Sequence, residues 1–103
     1  MNIVAVTACP TGIAHTYMAA ERLEKAGKKL GIAVKVETQG AMGIENELTP
    51  ADIRNADAVV FAVGIAVQKR DRFAGKKVIE IPVQDAIKNA ERALTKIKDE
   101  LGC

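Results

Sequence analysis

The sequence predicts an α/β fold: one open four-stranded parallel sheet with helices on both faces, in the doubly wound arrangement. Two short apolar runs, Asn2–Thr7 and Ala58–Val63, stop at glycine-containing turns, which is typical of strands buried on both faces of a sheet. Amphipathic helical stretches alternate with strands along the chain. The 103 residues, 49% of them apolar, suit a single compact domain over residues 1–103.

The first half of the chain follows a strand, helix, strand pattern. After the first strand, Ile13–Leu30 carries apolar residues at helical spacing with charged residues between them, so an amphipathic helix is expected. Ile32–Thr38 alternates apolar and charged residues, with Lys35 and Glu37 on the charged face, which favours a strand at the edge of the sheet. Gln39–Leu48 contains two glycines and is expected to be a loop.

The second half repeats the alternation. Thr49 supplies a helix cap before Pro50, and the short helix that follows should end near Asn55. Ala58–Val63 is expected in the middle of the sheet, Lys69–Phe73 forms one helical turn, and Lys77–Ile81 is a short strand. One closing helix is predicted from a seam with spacings of three and four residues, namely Ile87, Ala90, Leu94, Ile97 and Leu101.

The expected strand order is 2-1-3-4, because the two wholly buried strands should be central. This order reverses direction between the first and third strands. In open parallel sheets, ligands bind at the carboxyl ends of the strands beside such a reversal. The segment after the first strand, which contains Cys9, is therefore the expected position of a functional site.

Composition excludes several classes of function. Fifteen Lys and Arg against thirteen Asp and Glu give a net charge of +2, and the two signs are interspersed. With three aromatic residues in the chain, nucleic-acid binding is not expected. No apolar run approaches the roughly 20 residues of a membrane span, and no leader pattern opens the chain, so a cytoplasmic location is expected.

The two cysteines differ in context. Cys9 lies in a glycine-containing turn between a strand and a helix, whereas Cys103 is the last residue, after Gly102. A disulfide framework is not expected from this spacing. Cys9 is therefore the candidate for chemistry.

The Cys9 segment has the composition of an anion-binding loop. A junction from strand to helix directs unpaired backbone NH groups and the positive end of the helix dipole toward one point. Cysteines in such positions have pKa values between roughly 3.5 and 7.5, so Cys9 could attack a phosphoryl group as a thiolate. The alternative is a small buried apolar residue. The candidate phosphate-binding residues are Pro10, Thr11, Gly12, Ile13, Ala14, His15 and Thr16.

Several roles remain open from the residues alone. His15 either supplies a positive charge or a proton to a phosphoryl group, or is a half-exposed helix residue. Thr11 and Thr16 either donate to phosphate oxygens or cap the helix. The acidic residues are dispersed, so neither a metal site nor a cofactor is expected.

Three segments resemble a known family. They are Cys9–Glu21 (CPTGIAHTYMAAE), Val36–Gly40 (VETQG) and Gly43–Asn46 (GIEN). Together they are similar to the fructose-type IIB domain of the bacterial sugar phosphotransferase system, and the similarity covers nearly the whole chain. The resemblance implies that Cys9 takes a phosphoryl group from a phosphohistidine of the IIA component. It would then pass the group to a sugar, fructose or similar, held by the membrane-embedded IIC component, which would place the domain at the inner face of the membrane.

The chain departs from the family pattern after the third strand. Gly64 stands where an aspartate is often found, which resembles the fructose-like branch, and the change either affects partner docking or is neutral. Gln39, Gly40 and Gly64 are expected on the rim that meets the partners. Gln39 either donates an amide hydrogen bond there or is an ordinary turn residue.

Two rival functions follow from the same loop. The loop resembles that of cysteine-dependent low-molecular-weight phosphatases, which carry the pattern Cys-x5-Arg-Ser/Thr. Here His15 stands at the arginine position, so the bidentate clamp that arginine forms on phosphate is missing. No aspartate general acid is evident on a rim loop. A flavodoxin-like binding module is the second rival, although few aromatic residues are available to flank a flavin.

Overall fold

The computed structural model describes residues 1–8, 13–40, 43–63 and 67–101, with side chains for all of these except Ile13 and Ala14. In chain order, the elements are β1 (Asn2–Ala8), α1 (Ile13–Leu30), β2 (Ala33–Gly40), β3 (Gly43–Glu45), α2 (Pro50–Asn55), β4 (Ala58–Val63), a 3₁₀ helix (Arg70–Phe73), β5 (Val78–Ile81), α3 (Val83–Lys88) and α4 (Ala90–Glu100).

The sheet has five strands in the order β3-β2-β1-β4-β5. The four strands predicted from the sequence pair in parallel in the predicted order. The prediction of a four-stranded, wholly parallel sheet is wrong, however, because β3 pairs antiparallel with β2. Gly40 lies opposite Gly43, whose φ of 95° is readily adopted by glycine, and part of Gln39–Leu48 thus forms strand where a loop was expected. The strand β3 therefore covers the carboxyl end of β2, at Thr38–Gly40, where the edge of the sheet was expected.

Helices pack on both faces of the sheet, as predicted. On one face α1, α3 and α4 enclose an apolar core that includes Leu23 and Leu94. On the other face a smaller core contains Ile53 of α2 and Phe73 of the 3₁₀ helix. Phe73 meets Phe61 of β4 edge to face, with ring centroids 5.3 Å apart.

The closing helix predicted from the seam is two helices, α3 and α4. They are separated by Asn89, whose backbone leaves the helical region at φ −136° and ψ 43°. Asparagine is a poor helix former, which explains why the seam of apolar residues continues while the backbone does not. Ala90, Leu94 and Ile97 of the seam are buried as expected.

The predicted cap of α2 is confirmed. The hydroxyl of Thr49 accepts a hydrogen bond from the Asp52 N–H at 3.1 Å, and the Asp52 carboxylate accepts from the Thr49 N–H at 2.9 Å. Asp52 also pairs with Lys35 at 2.5 Å. The bonds from Lys35 and Thr49 lower the pKa of Asp52 from its ordinary 3.8 to about 2.

In the described part of the chain, none of the helices combines the length and the apolar character required to cross a bilayer.

Candidate functional site

Three parallel strands end side by side at the edge where the site was predicted. In the sheet register, Thr7 lies beside Thr38 of β2 and Ala62 of β4, and Ala8 lies beside Val63. The segments that follow β1, β2 and β4 therefore leave the sheet at the same edge. Cys9 follows directly on Ala8 in the sequence.

A side-chain hydrogen bond joins the first turn of α1 to the end of β1. The hydroxyl of Thr7 donates a hydrogen bond to the carbonyl oxygen of Thr16 at 3.2 Å, and both residues are buried. The Thr16 hydroxyl itself has no hydrogen-bond partner among the described residues, although Thr16 is only 1% exposed. Buried hydroxyls are nearly always paired, so the missing partner of Thr16 is unusual for a side chain in the first turn of a helix.

The predicted phosphate-binding residues fall into two groups. His15 and Thr16 lie in the first turn of α1, where the His15 side chain is exposed and the Thr16 side chain is buried, and Ile13 and Ala14 begin the helix. The remaining phosphate-binding candidates, Pro10, Thr11 and Gly12, lie outside the described residues. So do the predicted carrier Cys9, Gly64 of the predicted rim and Cys103.

Gln39 and Gly40 of the predicted rim form the end of β2. The Gln39 side chain is buried, and its amide pairs with the backbone of Gln68: its Oε1 accepts from the Gln68 N–H at 2.8 Å and its Nε2 donates to the Gln68 carbonyl at 3.1 Å. Gln39 thus joins the carboxyl end of β2 to the segment that follows β4.

The burial of Glu37 near the carboxyl end of β2 was not revealed by the sequence pattern. Its alternation with Val36 predicted a charged strand face, but its side chain is fully buried and pairs with Arg72 of the 3₁₀ helix. Burial raises the pKa of Glu37, but hydrogen bonds from Arg72, the Leu48 N–H and Gln39 outweigh burial, so the pKa is lowered overall. The sequence showed only that Glu37 is a charged residue two positions before Gln39 on a predicted strand. Nothing in the sequence near Arg72, 35 positions away, indicated that it pairs with Glu37.

The β2–β3 hairpin also contacts α1. The Tyr17 hydroxyl donates a hydrogen bond to the Glu45 carboxylate of β3, and this bond raises the pKa of Tyr17. Tyr17 and its neighbour Met18 are each 40% exposed, large apolar side chains at the start of the helix.

The chain is similar to known proteins along nearly its whole length. Residues 4–96 match the family model described as "PTS system, Lactose/Cellobiose specific IIB subunit". The "PTS system fructose-like EIIB component 2" of Escherichia coli K12 is 52% identical over 100 residues, covering 97% of this chain and 94% of the relative. The "PTS system 2-O-alpha-mannosyl-D-glycerate-specific EIIABC component" of the same strain is 55% identical over 90 residues, which are 87% of this chain and 14% of that protein.

A solved structure has the same fold. The solution structure of the Enzyme IIB subunit of the PTS system from Escherichia coli K12 superposes with a TM-score of 0.92 at 44% identity. The match covers 98% of this chain and 94% of that chain.

Proposed function

Since this chain belongs to the IIB family of the sugar phosphotransferase system and is a phosphoryl carrier in sugar uptake, we propose that Cys9 is the residue that carries the phosphoryl group. Cys9 follows β1 at the edge where three parallel strands end, and α1 begins four residues later. A helix start beside a thiol is a setting in which a thiolate and a bound phosphoryl group are both stabilised.

The transfer has two displacement steps. In the first, the Cys9 thiolate attacks the phosphorus of a phosphohistidine on the IIA component, so that an S–P bond forms, the N–P bond breaks and the histidine nitrogen keeps the electron pair. In the second, a sugar hydroxyl attacks the same phosphorus, the O–P bond forms, the S–P bond breaks and the thiolate is regenerated. The hydroxyl proton leaves to a base on the acceptor side. Positioning and electrostatics supply most of the catalysis in such transfers.

The observation that carries this proposal is the buried Thr16 hydroxyl. It lacks a partner among the described residues, and the Thr7 bond to its carbonyl fixes the turn that bears it. A phosphoryl group on Cys9 would give this hydroxyl an acceptor oxygen. His15, exposed in the same turn, would add a positive charge or a proton.

The proposed donor is a phosphorylated IIA component, which docks on the rim around Cys9. The rim comprises the start of α1, the β2–β3 hairpin with Gln39 and Gly40, and the segment from Gly64 to Arg72. Exposed Tyr17 and Met18 support this surface because they offer apolar contacts beside the site. Donor and acceptor must reach the same thiol, so their docking surfaces overlap.

The proposed acceptor is a sugar held by a membrane-embedded IIC component, so that the domain works at the inner face of the membrane. The name of the EIIABC relative joins A, B and C components in one protein, which supports these two partners. One relative is named fructose-like and the other mannosyl-glycerate-specific. We infer that the IIC component selects the sugar, with fructose or a similar sugar as the first candidate.

A cysteine-dependent phosphatase is not favoured. The relatives are transport components, and His15 stands where the phosphatase pattern has an arginine. Without a guanidinium clamp, the transition state of hydrolysis loses its bidentate support. Transfer to a positioned hydroxyl therefore prevails over transfer to water.

The test follows labelled phosphate through both steps. The protein is incubated with labelled phospho-IIA, separated from it, and mixed with membrane vesicles that contain IIC and sugar. Label should first enter the protein and then appear on the sugar. Cys9→Ser should block labelling and Cys103→Ser should not. Label that enters Cys9→Ser at the normal rate would refute the assignment of the carrier residue.

A further inference from the structure

Glu37 is a buried carboxylate with all of its acceptor capacity in use. Arg72 donates to both oxygens, from Nη1 to Oε1 at 2.7 Å and from Nη2 to Oε2 at 2.5 Å. The Leu48 N–H donates to Oε1 at 2.9 Å, and the Gln39 amide donates to Oε2 at 2.7 Å. Each oxygen thus has two donors, and the guanidinium fork fixes the direction of approach.

These donors come from separate parts of the chain. Leu48 precedes α2, Gln39 is the last but one residue of β2, and Arg72 lies in the 3₁₀ helix after β4. Gln39 extends the network to the backbone of Gln68. Arg72 also donates from Nε to the Lys69 carbonyl at 3.0 Å. The network therefore attaches the segment 67–72 to the carboxyl end of β2.

Side chains provide this attachment. The described backbone hydrogen bonds of residues 67–73 that lie outside regular elements are local, such as that from the Arg72 N–H to the Lys69 carbonyl. Val67 and Phe73 are buried in the smaller core and anchor the ends of the segment. Between these anchors, Gln39 of β2 bonds the Gln68 backbone directly. Glu37 of β2 acts through Arg72, whose Nε donates to the Lys69 carbonyl.

The attached segment adjoins the site. Val63 lies beside Ala8, the residue before Cys9, and three residues join Val63 to Val67. The sheet fixes Val63, where this connection begins, and the network fixes Gln68, just after its end at Val67. Loss of the network would release one side of the rim without removing any group from the Cys9 loop.

We propose that Glu37 and Arg72 are positioning residues for phosphoryl transfer: the pair holds the segment 67–72 in the geometry that the phospho-IIA partner docks on. This inference rests on the proposed function, because it assigns the pair to the docking step of that reaction. In Glu37→Gln, one oxygen becomes an NH₂ group that faces the donors of Arg72 or Gln39, so the guanidinium is released. Only a fraction of the molecules then has the docking geometry, and the apparent affinity for the partner is reduced in proportion to that fraction.

The experiment measures the initial rate of Cys9 phosphorylation against phospho-IIA concentration, with the full chain. In Glu37→Gln and Arg72→Lys, the half-saturating concentration should rise about tenfold or more, as for a docking state populated one-tenth of the time, while the limiting rate stays within about threefold. Alkylation of Cys9 by iodoacetamide should proceed at the normal rate, because the Cys9 loop is intact. Amides of residues 67–73 should exchange faster with solvent.

Lys35→Met is the matched control, because Lys35 is two positions earlier on the same strand and also forms an ion pair, with Asp52. Its half-saturating concentration should be normal. If Glu37→Gln does not fold, Gln39→Met tests the same attachment through Gln68. An unchanged half-saturating concentration in the folded variants overturns the proposal, and so does an equal loss of alkylation and limiting rate, which would indicate general disruption. A wild-type protein that is not labelled on Cys9 would instead refute the proposed function.

Discussion

Thr7 and Thr16, which lie nine positions apart, join the end of β1 to the first turn of α1 through a buried hydrogen bond of 3.2 Å. The bond uses the Thr7 hydroxyl as donor and the Thr16 carbonyl as acceptor. It fixes the two ends of the segment that contains Cys9. The Thr16 hydroxyl has no hydrogen-bond partner among the described residues.

Thr16→Val should separate stability from activity. Valine has the shape of threonine without the hydroxyl, and removing an unpaired buried hydroxyl leaves stability unchanged or higher. Phosphorylation of Cys9 should slow by about tenfold or more, as for the loss of one donor to a transferring group. Urea unfolding and initial transfer rates measure the two effects. A normal rate in a stable Thr16→Val protein would show that the hydroxyl has no part in transfer.

Thr7→Val is the matched change on the other side of the bond. It removes one hydrogen bond to the Thr16 carbonyl, which still accepts within the helix, so the free energy of unfolding should fall by about 0.5–1.5 kcal/mol. Chemical denaturation checks this value. An unchanged midpoint would mean that the tie between β1 and α1 contributes nothing to the fold.

His15 should control the lifetime of phosphocysteine. His15→Ala should slow phosphorylation, because a charge or proton beside the phosphoryl group is lost. His15→Arg should shorten the lifetime of the phosphorylated protein in water, because a guanidinium clamp stabilises the transition state of hydrolysis. Labelled protein is followed after the donor is removed. Normal labelling of His15→Ala and normal decay of His15→Arg would make His15 an ordinary helix residue.

Asp52 should contribute pH-dependent stability. Its pKa is lowered to about 2 in the folded protein, so its charged form stabilises the fold above its ordinary pKa of 3.8, and the contribution is lost as the pH falls toward 2. Asp52→Asn should therefore be less stable than wild type at neutral pH, and the difference should shrink below pH 3.8. Urea unfolding across this range measures it. Glu24→Gln, an exposed change on α1, is the control, and a constant difference for Asp52→Asn would contradict the pairing.

Gly27 lies where α1 approaches the chain leading into β2. A Cβ added there would stand 2.5 Å from Val34 Cγ2 and 2.8 Å from the Ile32 carbonyl oxygen. Because the Ile32 oxygen belongs to the backbone and cannot rotate away, the overpacking cost of Gly27→Ala should lie in the upper part of about 1–3 kcal/mol and so exceed the roughly 1 kcal/mol gained in helix propensity. Gly40→Ala, where nothing lies within 4 Å, should stay within about 0.5 kcal/mol of wild type. Equal stability of the two variants would contradict the close approach.

Local patterns predicted much of the fold. Apolar runs and helical periodicity identified four strands in their order, and the Thr49 cap marked the start of α2. The strand β3 was missed because its three residues are too few for a periodic signal. The break at Asn89 was missed because the apolar seam continues through it, and periodicity reports which residues face the core.

The residues proposed for the site differ in how far one sequence can indicate them. The Cys9 segment and Thr16 are contiguous in sequence, so a motif identifies them. Glu37 and Arg72 come from separate elements, and their pairing depends on how the segment after β4 folds back onto β2. Alternation along β2 indicated a solvent-facing glutamate, but the guanidinium of Arg72 reversed that outcome by pairing with the buried carboxylate. Long-range ion pairs of this kind have no signature in one sequence.

The most direct test of Cys9 as the carrier is to locate the phosphoryl group by peptide mass mapping after incubation with phospho-IIA, under conditions that preserve the labile S–P bond. One added phosphoryl group is expected on the peptide that contains Cys9, and none in Cys9→Ala. Phosphate on His15, or unchanged labelling of Cys9→Ala, would contradict this assignment.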